Sequence, residues 1–291
     1  MAHDLVGPAE VQSDAYDLTR PARALAPVIF VSAHSGRDYT PAFLATSRLD
    51  ATTLRKSEDA FVEELFDAAP ALGAPLLAAR FPRAWCDANR EPWELDPGMF
   101  DAPLPAWVNS ASPRVGAGLG TIARVVANGE AIYRRRLSFE EARIRVRLSW
   151  EPFHAALAAL VAETRQAFGA CLVVDCHSMP TGPGEPLDFV LGDAHGSACA
   201  PRATRAAEAL LQATGRRVQR NDPYAGGYIT RHYGRPREGV HALQIEIARA
   251  LYMDERAIAR APGFNAFRTQ MADLVGSLIG LDWDALLRAG R

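Results

Sequence analysis

Five short apolar runs in this chain each close on polar residues. APVIFVSA opens onto His34, LLAARF onto Pro82 and Arg83, and CLVV onto Asp175 and His177. DFVLGD begins at Asp188, and HALQIEI holds Glu246 between Ile245 and Ile247. Runs of this length, rich in Val, Ile and Leu, predict strands covered on both faces. Helical periodicities separate them. SEDAFVEELFDAA repeats its apolar residues at three- and four-residue intervals. The longest such stretch runs from Ser138 to Phe168. It opens on SFEE, a capping box of Ser138 with Glu141, and Pro152 is expected to break or kink it. PRATRAAEALLQAT and residues 265–279 supply two further helices. Strands alternating with helices predict an α/β fold, a three-layer αβα arrangement around a central mixed, mainly parallel sheet.

Composition narrows the class. A chain of 291 residues, 48% hydrophobic, can bury one large core, and we read residues 1–291 as one domain with 1–20 as an N-terminal extension. A net charge of −2 offers no basic field for nucleic acid and no basic tail for a membrane surface. The apolar runs fall short of the roughly 18 residues that a membrane span needs. The N-terminus lacks the basic start and apolar run of a signal peptide, so a cytoplasmic protein is expected. Cys86, Cys171, Cys176 and Cys199 have no CxxC spacing and read as reduced, buried side chains. The run VGAGLG (Val115 to Gly120) lacks GxGxxG order, and Trp93 to Trp107 reads as a long surface loop. Lys56 is the only lysine, so nearly every cation is an arginine, whose planar fork suits a carboxylate.

Ligands of open α/β sheets bind at the C-terminal ends of the strands. Here those ends hold His34, then Arg83, Asp87, Asn89 and Arg90, then Asp175 and His177, and finally Glu246. His34 and His177 can supply two ligands of a hydrolytic metal centre, which takes about three from His and carboxylate and leaves a position open for water. Asp38 is the nearest acid after His34 and the expected third, with another carboxylate as the alternative. It shares a face with His34 if the chain turns helical there. Asp175, two residues before His177 on an extended segment, is expected behind an imidazole, orienting it. Glu246 between two isoleucines would be costly to bury unpaired, so it is either a working group or half of an internal ion pair with an arginine. His195 and His232 lie in Gly-containing loops and read first as structural, with their role open; His154 and His241, on a helix and a strand, have no partner in the sequence, and His3 lies near the N-terminus.

VSAHSGRDYTP, DANR, DCHSMP, NDPYAGGYITRHYG and QIEIARALYMDE, in this order from His34 to Glu255, resemble the N-formylglutamate amidohydrolase family. The resemblance implies a phosphorylase/hydrolase-like αβα fold, distantly similar to zinc carboxypeptidases and aspartoacylase-type enzymes, with one Zn²⁺. DCHS resembles the strand-end zinc histidine, here His177, and His34 the first zinc ligand. In the wider group that ligand opens H-x-x-E; this chain has Arg37 at the third position and Asp38 one later. RAWCDANR resembles the R…D-x-N-R signature, which implies that Arg83 polarises the scissile carbonyl while Asn89 and Arg90 hold a substrate carboxylate. Glu246 resembles the general base, and Ala248 stands where the family commonly has Asn. The implied substrate is a small molecule with carboxylate groups, N-formyl-L-glutamate, hydrolysed to formate and glutamate in histidine degradation. Arg231 and Tyr228, in the Gly-rich loop, would bind its second carboxylate. Another N-acyl amino acid or a carboxypeptidase-like substrate is the closest rival. A metal-free carboxylate-binding protein is the rival from another class.

Overall fold

The computed structural model describes residues 9–12, 14–182 and 187–287. Eight strands form one sheet: β1 (Ala9–Gln12), β2 (Tyr16–Arg20), β3 (Val28–Ser32), β4 (Leu76–Ala79), β5 (Cys171–Met179), β6 (Phe189–Gly192), β7 (Val218–Arg220) and β8 (Val240–Ala248), in the order β1-β2-β4-β3-β5-β8-β6-β7. The centre, β4-β3-β5-β8, is parallel; β2 pairs antiparallel with β4, and β6 antiparallel with β8. All five expected strands are present, and the sheet is mixed and mainly parallel between helical layers. β1 and β2 lie within the stretch expected as an N-terminal extension and extend one edge of the sheet.

The two long central strands explain where a site can form. Every residue of β5 and β8 is buried, so burial hides the alternation, but the two faces differ in chemistry. On one face Leu172, Val174, Cys176, Leu243, Ile245 and Ile247 pack under the helices Pro201–Ala213 and Phe264–Ile279. On the other, Cys171, Val173, Val240 and Ala242 join a core with Phe153, Leu157 and Leu160 of the helix Glu151–Phe168. Further along this second face come Asp175, His177, Gln244 and Glu246, because successive side chains alternate. The polar half of the face begins where the apolar cover of that helix ends.

Two helical expectations change. SEDAFVEELFDAA is helical only at Val62–Leu65, after Phe61 in the left-handed region at φ 67°. Such a conformation costs a non-glycine residue about 1–2 kcal/mol. Tertiary ties offset this: the Asp59 N–H donates to the His34 carbonyl at 3.0 Å, and Ala60, Phe61 and Val62 are buried. The capping box at Ser138 and Glu141 is present and starts the helix Phe139–Arg145. This helix does not break at Pro152. It passes through a π turn, Val146–Trp150, directly into the helix Glu151–Phe168, and that irregular turn lies just before Pro152, the residue without an N–H.

Candidate active site

Four strand exits deliver the polar groups to one place. In the β5–β8 register His177 lies beside Glu246 and Asp175 beside Gln244, and parallel neighbours share a face. β3 delivers His34 just past its end, and Gly36 lets that exit press against the exit of β4. A Cβ at Gly36 would stand 2.2 Å from the Phe81 carbonyl oxygen.

His34, Asp59 and His177, each 2–3% exposed, offer ligand atoms that all lie within 4.8 Å of one another. A carboxylate oxygen only accepts, so His34 Nε2–H donates to Asp87 Oδ1 at 2.6 Å, and Nδ1 is the ring nitrogen left to face Asp59. That Nδ1 is buried without a hydrogen-bond partner among the described residues, 3.4 Å from Asp59 Oδ2. His177 Nδ1 lies 2.8 Å from the same Asp59 oxygen, and His177 Nε2 is 2.8 Å from Asp175 Oδ1. The second Asp59 oxygen accepts from Arg249 Nη2 at 3.1 Å. Burial alone would raise the Asp59 and Asp87 carboxyls. His177 and His34 beside Asp59, and His34, Arg83 and Arg90 beside Asp87, hold both well below the usual carboxylate range. Burial would lower His177, but Asp175 and Asp59 raise it well above its ordinary value. Two imidazoles and a carboxylate converge here, with further carboxylates behind the imidazoles, a donor set that could hold a metal ion.

Glu246 stands next to this cluster, 7% exposed, accepting from Gln244 Nε2 at 2.8 Å. Burial is the main cause that pushes its carboxyl up to about 7. No arginine ion pair holds it among the described residues, so the internal-salt-bridge reading does not describe it. A cavity of about 630 Å³ opens over the cluster, lined among others by His34, Asp59, His177, Arg83, Arg231 and Glu246.

The structure brings most of the expected residues to this cavity, with different tasks for some. Arg83 Nη2 donates to Asp87 Oδ2 at 2.8 Å. Arg90 is buried; its Nε and Nη1 donate to the carbonyls of Leu119 and Asn89. Asn89, expected on a substrate carboxylate, has both amide atoms engaged: Nδ2 donates to Asp175 Oδ2 at 3.0 Å and Oδ1 accepts from the Ile229 N–H at 2.7 Å. Arg231 is exposed and lines the cavity, with no ion pair among the described residues. Tyr228 lies outside the lining. Its ring stacks on His232 at 4.8 Å and packs against Trp150. Asp38 stands apart from the cluster: its half-exposed carboxylate pairs with Arg80 at 2.9 Å. The residues after His34 form no helix before Pro41, so His34 and Asp38 share no helical face. Asp59 is the carboxylate that stands with the two imidazoles. Sequence reasoning also missed Arg249 behind Asp59, and Arg114, Tyr224 and Gln244 in the lining. Gln244 was the most legible, two residues before Glu246 on a strand.

Paired imidazoles and a carboxylate at the strand ends of an αβα sheet, beside a buried acid of raised pKa, define a hydrolase. Its relatives narrow the class. The family model of N-formylglutamate amidohydrolase matches residues 26–253, and the chain belongs to this family of amidohydrolases. The chain is 31% identical over 277 residues to N-formylglutamate deformylase of Pseudomonas aeruginosa, covering 92% of this chain and 96% of that one. It is 33% identical over 205 residues to N-formylglutamate deformylase of Pseudomonas putida, covering 68% and 71%. The crystal structure of N-formylglutamate amidohydrolase from Ralstonia eutropha superposes with a TM-score of 0.88 at 34% identity, over 94% of this chain and 100% of that chain.

Proposed function

We propose that the protein hydrolyses the formyl amide of N-formyl-L-glutamate, releasing formate and L-glutamate, and that His34, Asp59 and His177 hold one zinc ion for the reaction. The observation that carries the metal is Nδ1 of His34, buried and without a hydrogen-bond partner among the described residues, beside Asp59 and His177. Bound there, zinc supplies Lewis acidity that acidifies a water and polarises a carbonyl. The chain supplies the rest. Glu246 accepts the proton of the attacking water and returns it to the departing amine, a role suited to a carboxyl near 7. Arg83, held at one nitrogen by Asp87, turns its remaining N–H groups to the oxygen that becomes negative. The free fork of Arg231 takes one substrate carboxylate, and Arg90 with Arg114 the other. Both of the latter line the cavity, and Arg114 is close enough to help lower the Arg90 guanidinium. Such a reaction fits the formate-releasing step of histidine degradation in the cytoplasm.

The test is formate release from N-formyl-L-glutamate by chelator-stripped protein, before and after zinc is restored. Formate only with zinc is expected. Stoichiometric zinc uptake without formate would remove the substrate and leave the metal, and a panel of N-acetyl and N-succinyl amino acids would then identify the acyl group.

A further inference from the structure

The loop Trp85–Arg90 carries Asp87 and Asn89, and one helical stretch grips it repeatedly. Trp85 Nε1 donates to Ser149 Oγ at 3.1 Å, Trp150 Nε1 donates to the Arg90 carbonyl at 3.0 Å, and His154 Nε2 contacts the Ala88 carbonyl at 2.8 Å. Arg145 reaches the Trp85 carbonyl at 3.4 Å and lies 4.0 Å over the Trp85 ring. In a regular α-helix, each residue turns about 100°, so the nine steps from Arg145 to His154 would place them on opposite faces. The π turn Val146–Trp150 takes in an extra residue, and so brings His154 back to within about 80° of Arg145. The irregularity lets both ends of the stretch grip the same loop.

His154 is 5% exposed, its ring 3.9 Å from that of Trp150 in a stacked pair. A carbonyl only accepts, so Nε2 carries the proton. Nδ1 then accepts from the Tyr233 hydroxyl at 3.0 Å. Burial pushes His154 down to about 4, which keeps this neutral tautomer across the neutral range. The carbonyl it holds belongs to the residue between the two that organise the imidazoles. Asp87 takes His34 Nε2–H, and Asn89 holds Asp175 beside His177.

We propose that His154 is a positioning residue of the metal centre, setting Asp87 and Asn89 through the Ala88 carbonyl so that both imidazoles present Nδ1 to the ion. The inference rests on the metal reading above and not on the choice of substrate. The experiment measures zinc affinity by competition with a chromogenic chelator, and the melting temperature of the metal-free protein, for His154→Phe and His154→Gln. His154→Phe keeps a ring and loses both hydrogen bonds. It should weaken zinc about tenfold, the lower end of what outer partners of metal ligands contribute. His154→Gln can still donate to the Ala88 carbonyl and should bind zinc within about twofold of the parent. Should His154→Phe fail to fold, Tyr233→Phe removes the hydroxyl that holds the Nδ1 side of the ring and should weaken zinc several-fold. A role confined to packing would lower the melting temperature and leave zinc affinity alone. Parental affinity in His154→Phe, or equal losses in both His154 variants, overturns the inference. A parent that takes up no zinc overturns the metal reading itself, which is a different result.

Discussion

Glu246 is buried, which favours its protonated acid, while the Gln244 amide that donates to it favours the carboxylate. Replacing it with Gln keeps shape and hydrogen bonding and removes only the proton acceptor. Glu246→Gln should therefore retain zinc and lose about 10²–10⁴ in kcat; near-normal turnover would place the base elsewhere. The pH profile gives a second reading. Burial raises the carboxyl to about 7 in the metal-free protein, and a cation nearby pulls it lower. A base works only when deprotonated, so kcat/KM should fall with acidity through a value below about 7. The third ligand separates in a paired experiment. Asp59→Asn should abolish tight zinc binding while its amide oxygen can still accept from Arg249. Removing the acceptor altogether would leave a buried cation unpaired, at about 3–5 kcal/mol. Asp38→Asn should leave zinc unchanged and move stability by no more than about 0.5 kcal/mol, because its partner Arg80 is itself partly exposed. Equilibrium dialysis of the two variants decides between the carboxylates.

At the level of elements, the Gly-rich loop ahead of Tyr228 is fixed by close approach. A Cβ at Gly227 would fall 2.4 Å from the amide of Asn89, and the Gly227 N–H donates to Gln244 Oε1 at 2.9 Å. Gly227→Ala should displace this loop from the Asn89 segment. The expected outcome is a higher KM for the formylated substrate, because Arg231 follows on the same segment, together with weaker zinc binding, because the displaced Asn89 amide holds Asp175. An unchanged KM would separate Arg231 from substrate binding. The central strands were legible in the sequence because buried parallel strands read as short apolar runs, and the residues just past them are then obvious candidates. His34, His177 and Glu246 were found this way. Asp59 was not, for a physical reason: it sits in SEDAFVEELFDAA, whose periodicity predicts a helix. Contacts with His34, His177 and Arg249, distant in sequence, pull that segment out of helical form. The π turn was invisible for the same kind of reason, since Pro152 announces an irregularity without saying how the chain will absorb it. β2 and β7 are short and mix polar with apolar residues, so no run marks them.

For the whole molecule, the site concentrates buried charge in one place, and its proton balance links stability to metal. His177 has a folded-state pKa raised above its unfolded value. Its ion pairs therefore stabilise the metal-free protein fully below the unfolded value of about 6.5, and this contribution is lost as pH rises through the raised value. Asp59 and Asp87 are depressed, so their contribution is present above the ordinary carboxylate value of about 3.9 and is lost as pH falls through the depressed ones. A metal needs the same His177 nitrogen without its proton, so protons and zinc compete. At a zinc concentration about 100-fold above Kd, binding adds about 2.7 kcal/mol to stability. Because the apparent Kd worsens with acidity, that increment should shrink as pH falls. Melting the protein with and without fixed free zinc, in steps from about pH 5.5 to 8, measures the increment directly. A zinc-induced rise in melting temperature that grows with pH is expected, with proton release on zinc uptake seen by calorimetry in two buffers. A rise of constant size, without proton release, would mean that His177 is already deprotonated in the metal-free protein and that the Asp175–His177–Asp59 chain holds no proton for the ion to displace.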